Sequence, residues 1–195
     1  MAALDLQQLP TGGEALLVTV VAFAIGELTR VRRVRRGARN VDLRAEVVFR
    51  LGFLAGILTL PLARSVAPGA QIPWPEAAAV VGVVVAWLGL LLRWWSFRAL
   101  GRYFTLVLQT SPDHAVVDRG PYRVLRHPSY TGLLLVVLGC ALMIGNWVGV
   151  LACSACVGAA MVYRIRVEER ALTQALGAAY LDFAATRARL VPFVW

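Results

Sequence analysis

Gly120-Pro121-Tyr122-Arg123-Val124-Leu125-Arg126-His127-Pro128-Ser129-Tyr130-Thr131-Gly132 joins a cationic, aromatic loop directly to the start of an apolar run. Pro128 has no backbone donor to lose and suits the first turn of a helix, so the stretch reads as a helix start at a membrane interface. Polar chemistry at a membrane surface is the first inference.

Downstream of that start, two apolar runs of about 130–145 and 147–163 follow, and upstream lie three more at 13–30, 46–64 and 76–97. A hydrocarbon core about 30 Å thick takes roughly 20 helical residues. The chain therefore reads as an all-α integral membrane protein of about five transmembrane helices, the last two forming a helical hairpin closed at Gly145-Asn146-Trp147. An apolar helix of about 15 residues reaches only about 22 Å, so each of the last two spans is expected to continue as a polar helix on the loop side. Composition agrees: 195 residues at 59% hydrophobic and 16% charged carry too much apolar surface for one soluble core.

The net charge is +9, and every basic residue is an arginine. All except Arg64 fall in segments that one consistent topology places on a single side, which the positive-inside rule makes cytoplasmic. Arg30, Arg32, Arg33, Arg35, Arg36, Arg39 and Arg44 crowd the connection between the first two runs, fixing orientation and meeting anionic headgroups. No nucleic-acid role is expected, since these arginines flank spans and no base-stacking module accompanies them. Met1 to Gly13 lacks a basic leader and the first apolar run is too long for a signal core, so it is expected to remain as a span with the N-terminus outward. In a prokaryote the location is the inner membrane. Two regions result: 1–97 with three spans, and 98–195 with the loop, hairpin and tail.

Other chemistries find little support. Cys140, Cys153 and Cys156 all lie in apolar runs, so Cys153-Ser154-Ala155-Cys156 reads as small-residue packing rather than a redox motif. The histidines, His114 and His127, are placed away from Cys153, and no metal site is expected. No phosphate-binding glycine loop follows a strand, which argues against a soluble nucleotide fold. What remains is the 98–128 loop and the 164–195 tail, which a short hairpin returns to the same side to form a cytoplasmic pocket. Arg164 and Glu168, four residues apart, share one helical face there.

The chain resembles the isoprenylcysteine carboxyl methyltransferase family, within the wider group of membrane phospholipid methyltransferases. Gly120-Pro121-Tyr122, Arg126-His127-Pro128-Ser129-Tyr130-x-Gly132 and Glu168-Glu169-x-x-Leu172 carry the resemblance, and Leu176-Gly177-x-x-Tyr180 and Arg189-Leu190-x-Pro192 extend it. It implies S-adenosylmethionine as the methyl donor, with a pocket on His114, Ala115, Val116, Val117, Tyr122, His127, Pro128, Ser129 and Tyr130. Such a donor needs an aromatic, apolar enclosure, hydrogen bonds to its polar ends and tolerance of a sulfonium charge. It implies further that Arg164 and Glu168 belong to the substrate region, Arg164 gripping an anionic acceptor and Glu168 orienting it or supporting Arg164, with Glu169 behind them.

The reaction so implied is methylation of a lipophilic, membrane-borne acceptor, foremost a carboxylate. A lipid amine or phenol, including a phospholipid, is the alternative and would need deprotonation. A sterol-reductase-like nicotinamide enzyme and a non-catalytic membrane scaffold are readings of other classes.

Overall fold

A computed structural model describes residues 13–34, 43–101, 116–192 and 195, with the side chains of 29–34 and 43 excepted. Among the described residues six α-helices form: α1 (Gly13–Val34), α2 (Leu43–Val66), α3 (Pro75–Leu100), α4 (Pro128–Ile144), α5 (Trp147–Leu176) and α6 (Ala178–Ala185). A 3-10 turn, Gly120–Arg123, precedes α4. No β-strand occurs among the described residues, where the extended pairings are two isolated bridges, Gln71 with Asn146 and Leu125 with Ala188.

Helices occupy all five expected segments. Arg44–Val66, Pro75–Leu100 and Trp147–Leu176 are long and apolar enough to cross a membrane, and Pro128–Ile144 is a shorter apolar helix. Their outer faces are inverted relative to a soluble protein: Leu51, Leu58, Leu62, Val80 and Leu151 are all more than half exposed. Water would penalise such a surface, whereas lipid tails match it.

Glycine sets the closest contact. A Cβ on Gly89 would stand 2.6 Å from the Gly132 carbonyl oxygen, and one on Gly132 would stand 2.6 Å from that of Gly89. One heptad further along, Gly82 and Gly139 repeat the reciprocal approach, so α3 and α4 pack backbone to backbone. On the other side, Gly52 of α2 faces Ala160 of α5, and Gly56 faces Val157. Between these pairs lies a core of Leu133, Val137, Val150, Val157, Met161 and Ile165. Cys153 is fully buried in that core, which is the packing role expected for it.

The hairpin turn forms where expected. Gly145 closes α4 in the left-handed region (φ 78°), and Asn146 caps α5 by accepting from the Gly149 amide at 3.0 Å. Asn146 Nδ2 also donates to the Ala67 carbonyl at 2.9 Å, tying the hairpin to the α2–α3 connection.

One expectation needs correction. Beyond its apolar part at 147–163, α5 does continue as a polar helix to Leu176, but α4 has no such extension and starts at Pro128. His127, at φ −126° and ψ 55°, is already outside the helical region, and the proline that follows has no amide to continue the ladder backward. The loop therefore reaches the mouth of the bundle as irregular backbone, free to pair with the tail.

Candidate active site

The site grows from that irregular backbone. The Arg126 amide donates to the Ala188 carbonyl at 2.8 Å and the His127 amide to that of Arg189 at 3.1 Å, so the tail runs alongside the loop. Thr131 Oγ1, on the first turn of α4, donates to the Leu190 carbonyl at 2.7 Å. Arg126 adds two more ties, Nε to the Arg187 carbonyl at 2.8 Å and Nη2 to that of Ala184 at 2.6 Å. Arg187 reciprocates, donating to the Tyr122 carbonyl at 3.1 Å and pairing with Asp118 at 2.6 Å. Loop and tail are thus one unit, as the hairpin topology implied.

Glu169, at the polar end of α5, anchors that unit. Its carboxylate accepts from Arg126 at 3.0 Å and from Arg189 at 2.8 Å, and His127 Nε2 stands 3.5 Å away. Burial pushes this carboxyl up, but His127, Arg189 and Arg126 together outweigh burial and hold it at about 2. Glu169 therefore ties the site together, a larger part than a supporting role behind Glu168.

A second polar chain lies nearer the apolar part of α5. Arg164 Nε donates to the Tyr130 hydroxyl at 2.7 Å, and that hydroxyl donates to Glu168 Oε2 at 2.7 Å. Arg164 and Glu168 do share a helical face, yet Tyr130 stands between them in place of a direct ion pair. Arg164 Nη1 instead donates to Glu46 on α2, and its guanidinium lies 5.3 Å from the Phe49 ring centroid. His127 and Tyr130 stack at 5.6 Å, joining the two polar chains.

The remaining expected positions are distributed around this centre. Tyr122 is buried against Ala99, Leu100 and Val117, while Val116 packs on Leu172, Tyr180 and Phe183. Burial pushes the Tyr122 phenol well above its usual range and the charge of Glu168 adds to it, against an opposing contact from the Ser129 side chain. Pro128 is fully buried, and the Ser129 carbonyl accepts from Arg93 Nη1 at 2.7 Å. His114 and Ala115 lie outside the described residues.

Arg93 and Glu46 were not anticipated. Arg93, only 4% exposed, donates through Nε to Glu27 of α1 at 2.6 Å and has Phe97 4.9 Å beneath its guanidinium. The signal was available: an arginine and a glutamate inside apolar runs must find partners, because an unpaired charge there is costly. Glu46 left no such trace, since an acid in a first helical turn is unremarkable.

The site has the chemistry to receive a polar, partly aromatic ligand. Two buried polar atoms lack a close hydrogen bond among the described residues: the Tyr180 hydroxyl, and His127 Nε2, whose contact with Glu169 Oε1 is a long 3.5 Å. Each is expensive to leave so, and a ligand that hydrogen-bonds them relieves the cost. Tyr122 and the valines supply apolar enclosure beside them. S-adenosylmethionine fits that donor and acceptor set.

Comparison with known proteins agrees. The phospholipid methyltransferase family model matches residues 77–179. Protein-S-isoprenylcysteine O-methyltransferase A of Arabidopsis thaliana is 30% identical over 184 residues, covering 92% of each chain. Its counterpart B from the same plant is 33% identical over 115 residues, 58% of each chain. A solved structure of the eukaryotic intramembrane Ras methyltransferase ICMT (isoprenylcysteine carboxyl methyltransferase) superposes with a TM-score of 0.56 at 25% identity, over 80% of this chain and 55% of that one. The present chain thus spans little more than half the length of two of these three proteins.

Helical bundle, mouth-facing polar site and relatives together define a membrane methyltransferase. The chain belongs to the phospholipid methyltransferase family, on the branch of the isoprenylcysteine O-methyltransferases.

Proposed function

We propose that this protein transfers a methyl group from S-adenosylmethionine to the carboxylate of a lipophilic, isoprenylcysteine-like acceptor that enters from the bilayer. The observation that carries the reading is the Arg164–Tyr130–Glu168 chain: a half-buried guanidinium at the end of the apolar part of α5, beside the loop and tail. Its polar end faces the cytoplasm in a five-span topology, with the arginine-rich connection on the same side. A prenylated protein or a small prenylated acid is the substrate class, as the relatives' names imply for those proteins.

Val116, Val117, Tyr122 and the His127–Tyr130 turn would hold the donor, together with His114 and Ala115. When bound, S-adenosylmethionine supplies an electrophilic methyl, whose bond to sulfur breaks as the acceptor oxygen attacks it, leaving a neutral thioether. A carboxylate is already ionised at neutral pH, so alignment matters more than a base. Arg164 restrains one acceptor oxygen, while Tyr130 and Glu168 fix where Arg164 points. The apolar side faces of α3 to α5 admit a lipid tail without exposing it to water.

The test is methyl transfer in lipid nanodiscs from radiolabelled S-adenosylmethionine to N-acetyl-S-farnesylcysteine, with alkaline hydrolysis of the product. A carboxyl methyl ester releases its label as methanol; label found instead on the amine headgroup of phosphatidylethanolamine in the nanodisc survives that treatment and would move the reading to a phospholipid-type acceptor. S-adenosylhomocysteine binding, measured by calorimetry, is expected for the wild type and lost in His127→Ala and Tyr122→Ala. Absence of binding by well-folded wild-type protein would refute the methyl-donor site.

A further inference from the structure

We propose that Arg93 of α3, braced by Glu27 of α1, is a positioning residue for the methyl donor: it holds the first turn of α4 so that Ser129 meets Tyr122 in the donor pocket. The role rests on the donor site proposed above.

Arg93 lies inside a helix long and apolar enough to cross a membrane, and it is only 4% exposed. A charge in such a place is costly and calls for a use beyond packing. Packing is already provided, because the Gly89–Gly132 and Gly82–Gly139 contacts bring α3 and α4 together backbone to backbone. Nor does the dipole of α4 call for a cation, since the N-terminus of a helix carries the positive end. What a guanidinium adds, and an apolar side chain cannot, is donors in two directions at once. Nε donates to Glu27 Oε1 at 2.6 Å and Nη1 to the Ser129 carbonyl at 2.7 Å. The rings of Phe97 and Phe23, with centroids 4.9 and 5.8 Å from the guanidinium carbon, pack against the group and keep it in place.

Ser129 directly precedes Tyr130, so two arginines grip one helical turn. Arg93 holds it from α3 through the Ser129 carbonyl, and Arg164 holds it from α5 through the Tyr130 hydroxyl. Together they fix the rotation of that turn about the α4 axis. In this setting the Ser129 side chain hydrogen-bonds the Tyr122 hydroxyl, and Arg93 is close enough for its charge to act on the same phenol. Tyr130 has supports of its own in Arg164, Glu168 and the stack on His127. Loss of Arg93 is therefore felt at the Ser129–Tyr122 contact, on the donor side of the site.

The experiment is calorimetry of S-adenosylhomocysteine binding in lipid nanodiscs with wild type, Arg93→Met, Tyr122→Phe and the double variant, each checked for folding by its melting curve. Arg93→Met is expected to lower affinity about five- to tenfold and Tyr122→Phe about fivefold. The double variant is expected to be no more than about tenfold weaker than wild type, because both changes break the same contact. An Arg93 that only stabilises the bundle gives effects that multiply, to about 25- to 50-fold, or no loss of affinity in Arg93→Met at all. Either result overturns the positioning role and leaves the donor site standing. If Arg93→Met does not fold, Arg93→Lys takes its place, keeping the charge beside Glu27 without the two-way fork. About a threefold loss that vanishes in the Tyr122→Phe background is then expected, and wild-type affinity overturns the role equally. Folded wild type that binds no S-adenosylhomocysteine overturns the donor site and the role of Arg93 with it.

Discussion

Arg126 and Glu169, 43 residues apart in the chain, meet at 3.0 Å between the loop before α4 and the polar end of α5. Arg126 spends its remaining donors on the tail carbonyls of Ala184 and Arg187, so this one contact joins three segments. The His127–Tyr130 turn is consequently held from behind by the tail and by α5.

Removing Glu169 leaves Arg126 and Arg189 without their shared carboxylate. Glu169→Ala is expected to lower unfolding stability by about 1–3 kcal/mol, because the groups left behind are largely buried. Thermal unfolding in detergent measures the loss, and S-adenosylhomocysteine affinity should fall with it.

The same carboxylate sets an acid limit. Its folded value of about 2 lies below its ordinary value of 4.5, so its contribution is complete above pH 4.5 and is lost as pH falls toward 2. Wild-type stability should decline through that window more steeply than that of Glu169→Gln, in which no proton is taken up. Parallel melting curves of the two proteins across this pH range decide the point.

Tyr130→Phe deletes the hydroxyl between Arg164 and Glu168 and keeps the ring against His127. Loss of kcat/KM by about 10- to 100-fold is expected, equivalent to about 1.4–3 kcal/mol of transition-state stabilisation. Steady-state kinetics checks this, with retained S-adenosylhomocysteine binding showing that the pocket is intact.

Arg93 and Glu27 should behave as a couple. Either single change, Arg93→Met or Glu27→Gln, removes the ion pair between α1 and α3 and is expected to cost about 1–3 kcal/mol, with the double change costing less than the sum. A double-mutant cycle on thermal stability measures the coupling. A purely additive result would show that α1 is not fastened through this pair.

Gly132→Ala places a methyl group where the Gly89 carbonyl oxygen lies 2.6 Å away, and neither backbone can retreat without parting α3 from α4. A cost of about 1–3 kcal/mol or more is expected. Gly158→Ala is the control: a Cβ there meets nothing within 4 Å, and stability should hardly change.

The helices could be read from the chain because hydrophobicity over roughly 20 residues is a local property, and proline and glycine punctuate it locally too. That is why all five apolar segments, the α4 start at Pro128, the Gly145–Trp147 turn and the extension of α5 appear where residue types put them. The His127–Tyr130 turn stood out as a candidate for a related reason, since cationic and aromatic residues beside a helix start have few structural uses. The family motifs added the methyl donor. By contrast, the spacing of Arg164 and Glu168 implied a neighbourly pair, and Tyr130 intervenes because α4 lies against α5 at that level.

Partner choice among charges belonged to the tertiary structure alone. Nothing near Glu46 in sequence points to Arg164, 118 residues away, nor does anything near Arg93 point to Glu27. Such pairs depend on which helices touch and at what height, and the glycine contacts between α3 and α4 and between α2 and α5 set both. The sequence by itself determined a membrane-embedded helical chain with a polar loop and tail at one end; only packing decided which carboxylate restrains each arginine, because charge pairing acts over a few ångströms of space and is indifferent to distance along the chain.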